Sequence, residues 1–337
     1  MSGIRGFVDL QVNGFVGIEF ADPALTRAGI ETAFRAVLAR GTAAFLPTLI
    51  TSPLETYRRN IPLLVEAMRS DEFMGRVLGL HLEGPFISSQ PGAVGAHDPA
   101  YVRLPDVAML EELLGLGQGK VRLLTVAAEV PGVEALIRLA RSWGVTVSIG
   151  HSLFSSADLT RVYAAGARAL THLGNGLPNQ LPRHPNPMWD GLADDGFTAM
   201  IITDGHHLPA SVVKTMARAK GAARLIVVSD AVSVAGLPPG EYDVLGNHAV
   251  LEPSGRFHNP EKQCLVGSSA TMTECMNFLA SLDVFGFDDL VTVGFDNPLR
   301  LLGLTSEDVR SDDGVGLVFE AGQFVPMGAP QVASSSR

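Results

Sequence analysis

Glu83, His151, His172 and Asp230 lie far apart in the chain, yet each sits at the end of a short apolar or β-branched run: residues 77–83, 145–150, 167–172 and 225–230. Two neutral imidazoles and one carboxylate are the ligand set of a catalytic zinc site, in which three protein ligands leave one position open. An ion held this way lowers the pKa of a water toward about 7 and polarises a carbonyl. Asp230 is then the natural general base: it takes the water's proton during attack and returns it to a departing nitrogen, which requires its carboxylate to reach that water. Each residue also has a plainer reading on its own. Glu83 could cap a helix or pair with an arginine, the histidines could be core residues with satisfied hydrogen bonds, and Asp230 could begin a turn. What decides between these readings is whether the four runs end at one place.

The pattern of elements says that they do. Apolar runs at 7–11, 43–49, 77–83, 121–127, 145–150, 167–172, 198–203 and 225–230 read as eight strands. Between them, amphipathic stretches at 25–39, 54–69, 107–114, 133–143, 155–165 and 210–220 read as helices, several opening at a capping residue such as Thr26, Ser52 or Ser155. Alternation of this kind builds a parallel sheet from βαβ units, and eight strands predict a (β/α)8 TIM barrel. Chemistry in that fold sits at the C-terminal strand ends. Gln11 and Asn13 follow strand one, Glu83 ends strand three, Glu129 lies past strand four, and His151 follows strand five. His172 ends strand six, Asp204, His206 and His207 follow strand seven, and Asp230 closes strand eight. Coincidence is a poor account of such clustering. His81 shares a face with Glu83 one step deeper, a place for support rather than ligation.

Residues 173–197 form a loop rich in Pro, Asn and Gly, and a loop of this length inside a compact domain is usually functional. The expected organisation is a barrel over 1–236 and 266–310, with closing helices over 270–285 and from Asn297. A small β element spans 237–265, its partner strand falls within 311–330, and 331–337 is a frayed polar tail.

Bulk composition narrows the partners. The 337 residues are 46% hydrophobic and carry a formal charge of −10, which argues against nucleic acid and anionic membranes as partners, so an anionic substrate must be held by local charge. Cys264 and Cys275 form no CxxC pair, and neither a signal-length apolar segment nor a membrane span is present, so a cytoplasmic protein is expected.

Nine motifs occur in collinear order: GFVDLQVNG at 6–14, HLEGPF at 81–86, GAHDP at 95–99, GHS at 150–152, THLGNGLP at 171–178, DGHHLP at 204–209, VSDA at 228–231, LVGSSATM at 265–272 and NPLRLLGL at 297–304. Together they resemble the N-acetylglucosamine-6-phosphate deacetylases of the amidohydrolase superfamily. The resemblance implies hydrolysis of N-acetylglucosamine 6-phosphate to glucosamine 6-phosphate and acetate. Many superfamily members bind a metal with His-x-His after strand one. Gln11-Val12-Asn13 occupies that place here, which implies one divalent ion per subunit, held by Glu83, His151 and His172. Zinc is the default, with iron, cobalt, nickel and manganese as alternatives. By the same resemblance Asp230 is the catalytic aspartate, and His97 contacts the substrate carbonyl and steadies the oxyanion. Asn175, Gly176 and His207 fall at sugar-phosphate contacts, and Arg183 falls where an arginine reaches the neighbouring subunit's phosphate, which implies a homodimer. Gln11, Asn13, His81 and Glu129 are candidates for supporting these groups.

The chain departs from the family pattern in two places. Its first barrel strand begins almost at residue 1, so a reduced β domain is expected, and Gly174, His206 and the Pro-rich run around Trp189 alter the sugar end. A different N-acyl sugar or an N-acyl amino acid is therefore the alternative substrate. A catalytically silent sugar-phosphate sensor is a weaker reading, because binding alone has no use for Asp230 beside Glu83 and two histidines. A two-metal cyclic-amide hydrolase is disfavoured by QVNG and by the lack of a lysine near the end of strand four.

Overall fold

The computed structural model describes residues 2–262, 264–310 and 316–327. Strands Phe7–Val12, Thr42–Ile50, Leu80–Glu83, Val121–Val126, Thr146–Ile149, Ala169–Leu170, Thr198–Ile202 and Leu225–Val228 pair in sequence order into one eight-stranded parallel sheet. The first and last strands meet through a parallel bridge between Val12 and Ala231. At this seam the buried Asp9 carboxylate accepts hydrogen bonds from the Ser229 amide and hydroxyl. Burial pushes Asp9 up to about 7 against those donors. The result is a nearly closed (β/α)8 barrel, as the alternation of elements predicts.

Helices form where amphipathic spacing meets a cap. Thr26 accepts from the Gly29 amide ahead of Arg27–Leu38, whose Ile30, Ala33, Phe34 and Val37 bury one face, and Ser155 and Asp158 form a capping box ahead of Ser156–Ala165. The outer core lies between helices and sheet. A second apolar set, including Val8, Leu10, Leu46, Met200 and Ile226, is joined by Phe295, Leu299 and Leu302 from beyond the last barrel strand. Asn297 anchors that plug by donating to the carbonyls of Ala222 and Leu225, at the N-terminal end of the eighth strand. The opposite end is left for chemistry.

Two elements differ from the sequence expectation. The loop before the seventh strand contains a helix, Pro187–Ala193, because Asn186 accepts from the amides of Met188 and Trp189 and proline occupies the first turn. Its Pro and Gly content had read as loop alone. The small β element after the eighth strand is a four-stranded antiparallel sheet, Gly240–Val244, Asn247–Leu251, Phe257–Asn259 and Cys264–Leu265, with a core of its own around Val232, Val244, Ala249 and Phe257. The expected partner strand within 311–330 does not join it. Leu317–Glu320 and Gln323–Pro326 form a hairpin paired to Ser2–Ile4. Apolar contact explains the choice: the Phe324 ring meets Phe7 edge-on at 4.8 Å, and Asn277 exchanges two hydrogen bonds with the Phe324 backbone. The tail at 331–337 lies outside the described residues.

Candidate active site

Strand ends three, five, six and eight deliver Glu83, His151, His172 and Asp230 to one buried cluster. His172 Nε2 lies 2.8 Å and His151 Nε2 3.3 Å from Glu83 Oε1, while His97 Nε2 lies 3.7 Å from Glu83 Oε2. Three of these residues adopt left-handed backbone, His151 at φ 47, His172 at φ 28 and Asp230 at φ 52. Such conformations are costly for residues other than glycine and mark places where the fold overrides local preference for the sake of a site. Here they turn each side chain inward just past the last ladder pair.

The histidines differ in which nitrogen is engaged. His151 Nδ1 lies 2.8 Å from the Ala93 carbonyl, which only a protonated nitrogen can satisfy, so Nε2 keeps its lone pair. His97 is the reverse: the Thr51 amide donates to Nδ1 at 3.4 Å, leaving the proton on Nε2. Glu83, His97 and His151 each place a potential ligand atom within 4.8 Å of the others. Proton placement makes His151 the acceptor suited to an ion and His97 a hydrogen-bond donor. Burial holds His97 down at about 3, so it stays neutral. His172 also turns Nε2 to Glu83 Oε1, and its Nδ1 is buried without a partner.

Glu83, His151 and His172 are a donor set that could hold a metal. Two ligand atoms about 2.0–2.1 Å from a tetrahedral ion lie roughly 3.3 Å apart, and the His172 and His151 nitrogens lie 2.8 and 3.3 Å from Glu83 Oε1, on that scale. Burial raises the Glu83 pKa, but the contacts with His151 and His172 overcome it and keep the carboxylate ionised. Burial likewise opposes charge on His172, and the Glu83 hydrogen bond outweighs it, so its pKa is raised.

Asp230 is held by two amides on one oxygen. Gln11 Nε2 and Asn13 Nδ2 donate to Oδ1 at 2.9 and 2.7 Å, and Gln11 also donates to Glu83 Oε1 at 2.9 Å. Both bonds fall on Oδ1, which leaves Oδ2 able to act as a proton acceptor. Burial and the nearby Glu83 charge push Asp230 up to about 6, close to the pH at which a general base works best. His81 lies beneath, between the hydroxyls of Thr48 and Thr125, and burial lowers it to about 4. It supports the cluster through a layer of hydroxyls that includes Thr171 and Ser148. Glu129 stays outside, bracing the Ser152 hydroxyl and the Leu153 amide just after His151.

A cavity of about 310 Å³ opens over the cluster, the size of a small-molecule site. Asn13, Glu83, His97, His151, His172, Asn175, Gly176, His207 and Asp230 line it. Gly176 has φ 61, and a Cβ there would come within 2.8 Å of His151 Nδ1, so the backbone can pass close to the imidazole only without a side chain. Arg183 is exposed and does not line this chain's cavity, and among the described residues no lysine or arginine does. Sequence reasoning assigned no role to Asp204. Its Oδ2 accepts from His207 Nδ1 at 2.7 Å and its Oδ1 from the amides of His206 and His207, and these contacts overcome burial to hold it well below the usual carboxylate range. Also unforeseen were Leu245, Cys264 and Leu265 of the small sheet, which form part of the cavity wall. Pairing distant in sequence places them, and only Leu265 falls in one of the nine motifs.

Comparison with known proteins identifies relatives of the chain and of its fold. The chain is 34% identical over 319 residues to N-acetylglucosamine-6-phosphate deacetylase of Danio rerio, covering 89% of this chain and 75% of that one. The chain belongs to the N-acetylglucosamine-6-phosphate deacetylase family. It is also 31% identical over 300 residues to N-acetylgalactosamine-6-phosphate deacetylase of Shewanella sp. (strain ANA-3), covering 89% of this chain and 74% of that one. Among solved structures, an aspartate-to-alanine mutant of the Mycobacterium smegmatis N-acetyl-D-glucosamine-6-phosphate deacetylase, in complex with N-acetyl-D-glucosamine-6-phosphate, superposes with a TM-score of 0.84. It is 26% identical, with 96% of this chain and 86% of that chain covered. No protein-family model matches the chain. Family membership makes it an enzyme of the amidohydrolase type. No helix among the described residues is long and apolar enough to cross a membrane.

Proposed function

We propose that this enzyme removes the acetyl group from an amino-sugar 6-phosphate, N-acetylglucosamine 6-phosphate foremost, releasing acetate and the free amine. The observation that carries this reading is the convergence of Glu83, His151, His172, His97 and Asp230 in one small cavity at the barrel's C-terminal end. Glu83, His151 and His172 would hold a single divalent ion, zinc on ligand type. A metal bound there supplies Lewis acidity, drawing the pKa of a water toward about 7 and polarising the acetyl carbonyl.

The chain's own groups handle the protons. Asp230 Oδ2 removes the proton from the attacking water while Gln11 and Asn13 hold Oδ1 in place. His97 Nε2–H donates to the carbonyl oxygen as it gains charge. When the carbon–nitrogen bond breaks, Asp230 passes its proton to the departing nitrogen, giving the free amine and acetic acid, whose remaining proton then passes to the amine or to solvent to leave acetate. Asn175, the Gly176 backbone and His207, oriented by Asp204, face the sugar end of the cavity.

Because no cation of this chain lines that end among the described residues, Arg183 of a second copy is the fitting counter-charge for a phosphate, which supports a homodimer as the working form. The free thiols Cys264 and Cys275 fit a reducing cytoplasm.

The test is acetate release from N-acetylglucosamine, N-acetylgalactosamine and their 6-phosphates, with elemental analysis of the same protein. Highest kcat/KM on a 6-phosphate, with about one divalent ion per chain, is the expected result. A preference for the unphosphorylated sugars would overturn the substrate assignment, and a preference for the galacto sugar would move it to the specificity named for the Shewanella relative.

A further inference from the structure

The loop carrying His97 belongs to neither the barrel wall nor the small sheet, and both hold it. On the barrel side, the Ala93 carbonyl accepts the His151 Nδ1 proton at 2.8 Å. Gly95, at φ 59, lies over the same imidazole so closely that a Cβ would meet His151 Cε1 at 2.9 Å. The His97 ring meets the His151 ring edge-on, with centroids 4.3 Å apart. On the other side, Ala96 packs against the apolar core of the four-stranded sheet formed by Val232, Val244, Ala249 and Phe257. Its carbonyl accepts a hydrogen bond from Asn247 Nδ2 at 3.3 Å.

Asn247 is itself fully committed. It is 3% exposed; its amide nitrogen also donates to the Leu245 carbonyl at 2.9 Å, and its Oδ1 accepts from Lys262 Nζ at 2.6 Å. A buried amide bonded at both ends cannot rotate without leaving polar atoms unpaired, so its direction toward Ala96 is fixed. The neighbouring residue in the strap is His97, whose Nε2 must point at the reacting carbonyl. Misplacement by an ångström of a group that acts only in the transition state costs rate more than binding.

We propose that Asn247 is a positioning residue for the deacetylation: through Ala96 it makes the small sheet a clamp that sets where His97 points. This rests on the assignment of His97 to the oxyanion, and the experiment separates the two claims.

Asn247→Asp keeps the size and the acceptor for Lys262 but turns an oxygen toward the Ala96 carbonyl. In the metal-loaded enzyme, kcat on N-acetylglucosamine 6-phosphate should fall about tenfold or more, part of the roughly 10²–10³ that an oxyanion donor contributes, with KM and metal content unchanged. The decisive readout is a double-mutant cycle with His97→Ala. The Asn247→Asp loss should largely vanish in the His97→Ala background, since a residue acting through another is non-additive with it. Full additivity of two damaging changes overturns the clamp while leaving His97 in its role. Undiminished kcat in His97→Ala overturns the oxyanion assignment, and the clamp with it. If Asn247→Asp fails to fold, Lys262→Met in combination with Asn259→Ala removes both donors to Asn247 Oδ1 and enters the same cycle. A several-fold loss that depends on His97 supports the proposal, and wild-type kcat overturns it.

Discussion

The two ends of the cavity are built differently. At the catalytic end every group rises from a barrel strand or is tied to one. Glu83 completes a strand, His151, His172 and Asp230 are turned inward by left-handed backbone at strand ends, and Gln11 bridges the two carboxylates. Elsewhere in the cavity wall, where the sugar is proposed to lie, Asn175 and Gly176 sit on the long connection before the seventh strand and Leu245 and Cys264 come from the small sheet, while Arg183 is exposed on that same connection outside the wall. A rigid rim fixes a reaction, and loops laid over it select what is brought to react. Relatives named for the gluco and the galacto sugar are both close to this chain, as expected if the rim is shared and the loops vary.

The comparison can be broken by substitutions at each end. Glu83→Gln should have the largest effect: the site loses a charged ligand, and both metal content and turnover should collapse by more than the roughly 10–100-fold typical of residues that merely orient a ligand. Elemental analysis beside kcat reads this directly, and a variant that keeps its ion and its rate would refute the rim's role. Arg183→Ala should act at the other end alone. It should lower kcat/KM on the 6-phosphate by about 10–100-fold, the scale of a charge-assisted contact, and leave the unphosphorylated sugar unaffected. An equal loss on both substrates would mean that the arginine serves the fold. The smallest effect is expected for Asn13→Ala. In the proposed mechanism the ionised form of Asp230 is the base, so kcat/KM should fall as pH drops below about 6. The Asn13 hydrogen bond favours that ionised form, so its loss should move the acid limb to higher pH, as a pH–rate profile would show.

This contrast also explains what could be read from sequence. The eight strands and the residues at their ends were legible because short apolar runs alternating with amphipathic stretches mark βαβ units, and because a barrel gathers all its strand ends on one rim. Even the depth of His81 followed from alternation along its strand. What stayed hidden depends on contacts distant in sequence. The terminal hairpin pairs with Ser2–Ile4 through packing on Phe7, which no local pattern announces. The helix Pro187–Ala193 was masked by the Pro and Gly that also signal loops, although Asn186-Pro187 is a recognisable helix start. Left-handed backbone at two histidines and an aspartate, and the Asn247 contact to the His97 strap, are tertiary facts with no local trace.

The central claim is that a carboxylate at the end of the eighth strand moves the proton in amide hydrolysis while a separate set of residues holds the metal. Steady-state turnover of metal-loaded Asp230→Asn on N-acetylglucosamine 6-phosphate tests it most directly. The account predicts a fall in kcat of about 10²–10⁴-fold, the usual contribution of a general acid–base, with the ion retained and KM little changed. Near wild-type turnover with a full complement of metal would contradict it.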